Sequence, residues 1–264
     1  MDIDAYLGRI GYSGEREASP GTLRALHRAH LSAIPFENLD IQLGRPILLD
    51  LPSLEAKLVR GRRGGYCFEQ NALFAAVLEE LGFGVTRLAA RVRLGSTEVR
   101  PRTHMLLAVQ LDGERWLADV GFGSPGVLEP IRVAPGDPVD QDGWQFRMVG
   151  GDPELVLQSF FQDAWADLYS FTLERQHAAD YALGNYFTST HPESRFVTDL
   201  IAQRITADLR LALTATELTE IRADKTTTTS VESDEALLEI LAERFGLSFP
   251  PGTRFAERSG CSDP

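Results

Sequence analysis

The spacing of apolar residues changes from helical to alternating between residues 82 and 85, and this change limits what the chain can fold into. Upstream of it the pattern is helical. Ser19-Pro20 reads as an N-cap followed by proline at the first helical position, opening a segment with Leu23, Leu26, His27, His30 and Leu31 on one side. Ile34-Pro35 stops it, because proline lacks the helical donor and restricts its predecessor. Ser53 is placed to cap a second short helix through Leu58 and Val59. A third runs from Tyr66 or Cys67 to Leu81, with Ala72, Leu73, Ala76, Val77 and Leu81 at helical spacing and Gly82 as its C-terminal glycine. From Val85 the runs become short and alternating: Val85 to Val92, His104 to Leu111, Arg115 to Val120, Gln145 to Val149 and Leu155 to Gln158. They suit an antiparallel sheet or small barrel to about residue 175. The remainder is mixed. Ser233 caps a helix with Asp234 and Glu235 in its first turn, then Leu237, Leu238, Ile240, Leu241 and Phe245, ending at Gly246. Thr226 to Thr229 reads as a polar loop, and there is no internal repeat. Helices first, strands second and a mixed end make an α+β chain in three parts.

A chain of 264 residues buries enough surface to need no metal or disulfide staples. Its 26 basic against 38 acidic side chains give a net charge of −12, which argues against a nucleic-acid-binding surface. No apolar run spans a bilayer, so no membrane partner is expected. The start, MDIDAYLGRI, lacks the basic and apolar regions of a signal peptide, so a cytoplasmic location is expected. The two cysteines, Cys67 and Cys261, form neither a disulfide framework nor a zinc pattern, and no metal is expected.

The chemistry concentrates in Arg62-Arg63-Gly64-Gly65-Tyr66-Cys67-Phe68-Glu69-Gln70-Asn71. Two glycines lead into a helix start, and the first-turn position of Cys67 favours its thiolate. Arg62 and Arg63 add positive potential if they face the same way. The same position also suits a small buried apolar side chain. A nucleophilic cysteine needs a base. Of five histidines, His27 and His30 lie on one helix and are expected to pack, and His177 sits in a polar stretch. His104 stands out because Asp112-Gly113 lies between two alternating runs, a strong hairpin signal. With those two residues as the loop, Leu111 faces Glu114 and Leu106 faces Asp119. His104 and Asp119 then project from one face as diagonal neighbours. A loop one residue longer would reverse this parity. Asp119 can also be a strand-end residue feeding the Gly121-Phe122-Gly123 turn, but a carboxylate on an apolar face wants a partner, and His104 is the obvious one.

Residues 63–71 closely resemble the active-site signature of the arylamine N-acetyltransferase family, bacterial type. Ile34-Pro35-Phe36-Glu37-Asn38-Leu39-Asp40, Thr103-His104, Asp119-Val120-Gly121-Phe122-Gly123 and, more loosely, Ser189-Thr190-His191-Pro192 with Phe196 resemble its other blocks, in family order from about residue 5 to 250. The resemblance implies an N-terminal helical bundle (1–83), a central antiparallel β-barrel (84–188) and a C-terminal α/β lid (189–264), with a cysteine-triad core like that of papain and transglutaminase enzymes. It implies a Cys67–His104–Asp119 triad and ping-pong transfer of acetyl from acetyl-CoA to arylamines or hydrazines. By the same resemblance Thr103, Gly121, Phe122 and Gly123 belong to the coenzyme A site, and Phe36, Phe187 and Phe196 wall the acceptor pocket. The loop after Gly123 lacks an aromatic residue often found in bacterial relatives, and Gln70 stands where many have His. Arg62, Arg91, Arg93 and Arg102 are the cations available to an anionic co-substrate. A monomer or homodimer is expected. A macrolactam-forming amide synthase, a cysteine hydrolase and a non-catalytic binding module are the rival readings.

Overall fold

The computed structural model describes residues 1–94, 96, 98–222 and 224–256, so Cys261 lies outside the described residues. The N-terminal part holds helices α1 (Ile3–Ile10), α2 (Pro20–Ala33), α3 (Leu39–Gln42), α4 (Leu51–Leu54) and α5 (Cys67–Glu80), and the short strand β1 (Phe36–Glu37). Helix α2 starts and stops where the sequence places it: the Ser19 side chain accepts from the Thr22 amide at 3.1 Å, and the last helical residue is Ala33. The next helix differs from expectation. Asp50, not Ser53, is its cap, the carboxylate accepting from the Ser53 amide at 3.0 Å. Pro52 has its φ preset for a first helical turn and loses no helical bond by lacking an amide there, so the helix begins a turn earlier than a Ser53 cap would allow. It runs on as a π-helical segment, Glu55–Arg60, which buries Leu58 and Val59. Helix α5 is buried around most of its girth, with Leu73, Phe74, Val77 and Leu78 fully enclosed.

Eight strands follow: β2 (Gly84–Val92), β3 (Arg102–Leu111), β4 (Glu114–Ala118), β5 (Ile131–Arg132), β6 (Val139–Gln141), β7 (Trp144–Gly150), β8 (Leu155–Phe161) and β9 (Ala164–Phe171). They form one antiparallel sheet in the order β5-β4-β3-β2-β9-β8-β7-β6. It curls into a near-closed barrel. Gln141, at the end of edge strand β6, accepts from the Leu128 amide at 2.8 Å and donates to the Glu129 carbonyl at 3.0 Å, just before the opposite edge. The β3–β4 hairpin has the register that its Asp-Gly turn predicts, from Leu111 opposite Glu114 to Leu107 opposite Ala118. Both turn residues have positive φ (Asp112 51°, Gly113 79°), the geometry that matches strand twist. Strand β3 is buried on both faces. Met105, Leu107 and Val109 pack with the helices, while Leu106 and Ala108 fill the barrel.

The C-terminal part comprises α6 (Ala178–Thr190), α7 (Arg195–Thr198), β10 (Ala202–Ile205), β11 (Arg210–Leu213), β12 (Glu217–Ile221), β13 (Thr226–Ser230) and α8 (Asp234–Phe245). Its antiparallel sheet, β1-β10-β11-β12-β13, borrows β1 from the N-terminal part. Thr226 to Thr229 is an edge strand and not a loop, with Leu218 opposite Thr229 and Ile221 opposite Thr226. The residues are exposed and polar, which hides the strand from a burial pattern, yet threonine's branched Cβ favours extended backbone. Helix α8 has its expected ends: Ser233 accepts from the Ala236 amide at 3.2 Å, and Gly246 is left-handed at φ 69°. Among the described residues no helix is long and apolar enough to cross a membrane.

Candidate active site

Helix α5 presents Cys67 in its first residue, and β3 presents His104 on the barrel side of the sheet. Asp119 follows the last paired residue of β4. The three meet. His104 Nε2 donates to Asp119 Oδ2 at 2.7 Å, both side chains being buried. Because an ionised carboxylate only accepts, this bond fixes the proton on Nε2 and leaves Nδ1 for Cys67, the ring's other hydrogen-bond partner. Cys67 is 4% exposed, and its sulfur also lies 3.6 Å from the Thr103 carbonyl oxygen. Burial works against an imidazolium at His104. The Asp119 carboxylate and the hydrogen bonds to Asp119 and Cys67 outweigh it, and the pKa is pushed up to about 10. Burial likewise works against the Asp119 carboxylate, but His104, Asn71 and the Gly121 amide hold its pKa below the ordinary value.

Neighbouring groups fix this arrangement. Asn71, one helical turn after Cys67, donates to Asp119 Oδ1 at 2.9 Å and to the Met105 carbonyl at 2.7 Å, and its oxygen accepts from the Val120 amide at 3.1 Å. Gly121 donates its amide to Asp119 Oδ1 at 3.0 Å. A Cβ on Gly121 would stand 2.7 Å from Cys67 Cα, so only glycine lets the segment pass beside the start of α5. The His104 ring is flanked by Phe122 and Tyr169, each 5.0 Å away between centroids. Beneath Cys67, Glu69 accepts from the Tyr66 amide at 3.1 Å and pairs with Lys57 at 2.7 Å. Lys57 also reaches Asp40, and Arg63 pairs with Glu37 at 2.7 Å. Arg63 is thereby committed to carboxylates and lends the thiol little net field, while Arg62 is exposed. Burial raises the Glu69 pKa to about 7 despite Lys57.

The phenylalanines fall in two places. Phe36 and Phe196 lie 6.0 Å apart, and Phe196 is 5.6 Å from Tyr66, the residue before Cys67. Phe187 is on α6, stacked on His191 at 4.6 Å, and lines a cavity of about 360 Å³ with Phe68, Thr103 and Tyr181. Gly123 is left-handed (φ 85°), and Gln203 of β10 packs where its Cβ would lie while accepting from the Ser124 amide at 2.8 Å. Of the candidate cations, Arg93 pairs with Asp167 and Glu154, and Arg102 with Glu174. Sequence reasoning gave no part in the site to Asn71 or Tyr169 and expected His27 only to pack. Asn71 carried a usable signal, since a residue four after a helical cysteine shares its face. Tyr169 carried none.

A family model described as N-acetyltransferase matches residues 21–253. The arylamine N-acetyltransferase of Escherichia coli is 40% identical over 248 residues, covering 93% of this chain and 88% of that protein. The crystal structure of Nocardia farcinica arylamine N-acetyltransferase is similar with a TM-score of 0.89 at 43% identity, covering 95% of this chain and 90% of that one. Mycobacterium marinum arylamine N-acetyltransferase in complex with CoA gives a TM-score of 0.89 at 38% identity, covering 93% and 92%. The likeness runs through helical, barrel and C-terminal parts alike, and the chain belongs to the arylamine N-acetyltransferase family.

Proposed function

We propose that this protein moves an acetyl group from acetyl-CoA to the nitrogen of arylamines or arylhydrazines, with Cys67 as nucleophile, His104 as acid and base, and Asp119 holding His104 in place. The observation that carries the reading is the buried chain from sulfur to imidazole to carboxylate, in which Asp119 keeps His104 protonated. A neighbouring imidazolium stabilises a thiolate. The Cys67 sulfur attacks the thioester carbonyl carbon and a C–S bond forms. The tetrahedral intermediate then collapses, the bond to the CoA sulfur breaks, and His104 returns its proton to the departing thiolate. The neutral amine next attacks the acetyl-cysteine, His104 takes the proton from nitrogen, and Cys67 leaves as thiolate. Backbone amides at the start of α5 are proposed to stabilise the oxyanion of both intermediates.

The CoA complex of the M. marinum relative supports CoA as the co-substrate. Thr103, Gly121, Phe122 and Gly123 are proposed to meet it, which fits the passage of residues 121–123 beside Cys67 and His104. Phe36, Phe187 and Phe196 are proposed as acceptor walls; Phe196 adjoins both Phe36 and Tyr66, and Phe187 shares a cavity with Thr103. Incubation with acetyl-CoA should add one acetyl group to the intact protein, and Cys67→Ala should add none. No adduct on the wild-type chain would sink the reading. Rapid CoA release without amine would instead indicate a hydrolase, and use of long thioesters with neglect of small arylamines an amide synthase.

A further inference from the structure

His27 of α2 is fully buried and lies far in sequence from every triad residue, yet its ring touches the segment that carries Asp119. The Asp119 backbone amide donates to His27 Nε2 at 3.1 Å, and His27 Nδ1 lies 3.0 Å from the Leu128 carbonyl oxygen. A backbone amide can only donate and a carbonyl only accept, so both bonds exist together in one protonation state: neutral imidazole with its proton on Nδ1. Burial favours the same state, lowering the His27 pKa to about 4 although Asp119 and Glu129 pull the other way. The ring packs edge-on against Phe74 of α5, 5.9 Å between centroids, which fixes its plane. His27 therefore ties together the two ends of the loop 119–128, and this loop contains Asp119 and Gly121 to Gly123.

We propose that His27 is a positioning residue for the acyl-transfer reaction: it accepts the Asp119 amide and thereby sets the carboxylate against His104 Nε2. The side chain of Asp119 is held from one side by Asn71 of α5, and its backbone from the other by His27 of α2. Removing the second hold leaves a buried amide unpaired and lets the carboxylate shift, and displacements of about 1 Å at a reacting group cost on the order of 100-fold in rate. The proposal rests on the triad reading above.

Two substitutions separate the two bonds. A glutamine oxygen reaches where Nε2 stood and can accept the Asp119 amide, whereas an asparagine nitrogen reaches only where Nδ1 stood and serves Leu128. His27→Asn is expected to slow single-turnover acetylation of Cys67 by about 10- to 100-fold with KM for acetyl-CoA nearly unchanged. It should also shift or broaden the downfield NMR resonance of the His104 Nε2 proton. His27→Gln should recover most of the rate and restore the resonance. Equal rates in the two variants, or a rate loss with the His104 proton unmoved, would overturn the proposal. Nitrogen-15 NMR of the wild-type protein gives an answer that does not depend on any variant folding: His27 must show a protonated Nδ1 and an unprotonated Nε2, and the opposite tautomer refutes it. If the wild-type chain forms no acetyl-cysteine, the acyl-transfer reading fails, while the tautomer and the His104 proton still judge the positioning role.

Discussion

Three buried histidines within one protein are driven to opposite charge states, and the partner set explains which way each goes. His104 faces a carboxylate and is pushed up to about 10. His30 is buried among neutral partners, with Tyr6 at 2.8 Å on Nδ1 and Gln70 at 3.0 Å on Nε2, and burial lowers it to about 3. An unfolded histidine titrates near 6.5. The stability contributed by His104 is thus fully present below about pH 6.5 and is lost as pH rises through about 10. For His27 and His30 the unfolded chain binds the proton first, so stability falls as pH drops from about 6.5 toward 4 and 3. The urea midpoint is expected to decline over pH 6.5 to 4, and His30→Gln should flatten that slope by removing a contribution of a few kcal/mol at most. An unchanged slope in the variant would show that the acid loss arises elsewhere. Helical spacing in the sequence rightly placed both histidines on a packing face. It held no information on what each nitrogen meets, because Asp119 and Gln70 reach them from other parts of the chain.

At the scale of elements, the β3–β4 hairpin decides whether His104 and Asp119 share a face. Its register follows from a two-residue loop, and the loop follows from a residue pair that tolerates positive φ (Asp112 51°, Gly113 79°). Gly113→Ala forces a Cβ into left-handed backbone and should cost about 1–2 kcal/mol in urea unfolding. The acetylation rate should stay near wild type well below the transition, since nothing in the triad touches the turn. A large rate loss in a fully folded variant would mean that the register had moved. This hairpin was readable because its determinants are adjacent in sequence. The Asp50 cap and strand β13 were not: Asp50 caps because Pro52 suits the first turn of a helix, and Thr226 to Thr229 is a strand because β12 is there to pair with it.

Across the whole molecule, three apolar clusters fill the space between the helices and the outer face of the barrel, the barrel interior, and the C-terminal sheet with α8. Asn38, just after β1, ties the N-terminal part to α7 and the approach to β10: it donates to the Phe196 and Asp199 carbonyls, both at 2.7 Å, and accepts from the Ile201 amide at 2.8 Å. It is 1% exposed, and because Gln42 Nε2 also donates to the Phe196 and Asp199 carbonyls (3.0 and 3.1 Å), Asn38→Ala strands the Ile201 amide alone and should cost about 1–3 kcal/mol. If the C-terminal part keeps water from the acyl-enzyme, the variant should also hydrolyse acetyl-Cys67 faster when no amine is present. Release of CoA at the wild-type rate, with proteolysis of the C-terminal part unchanged, would contradict this. Sequence alone determined the helical start, the change to alternating strands, the α5 start that carries Cys67 and the parity of His104 with Asp119, because each depends on residues a few positions apart or on a two-residue turn. Only the tertiary structure decided that α2, α5, β3 and the loop after β4 converge, bringing His27, Cys67, Asn71 and His104 around Asp119. That convergence is set by packing between segments up to 101 residues apart, which no local period encodes.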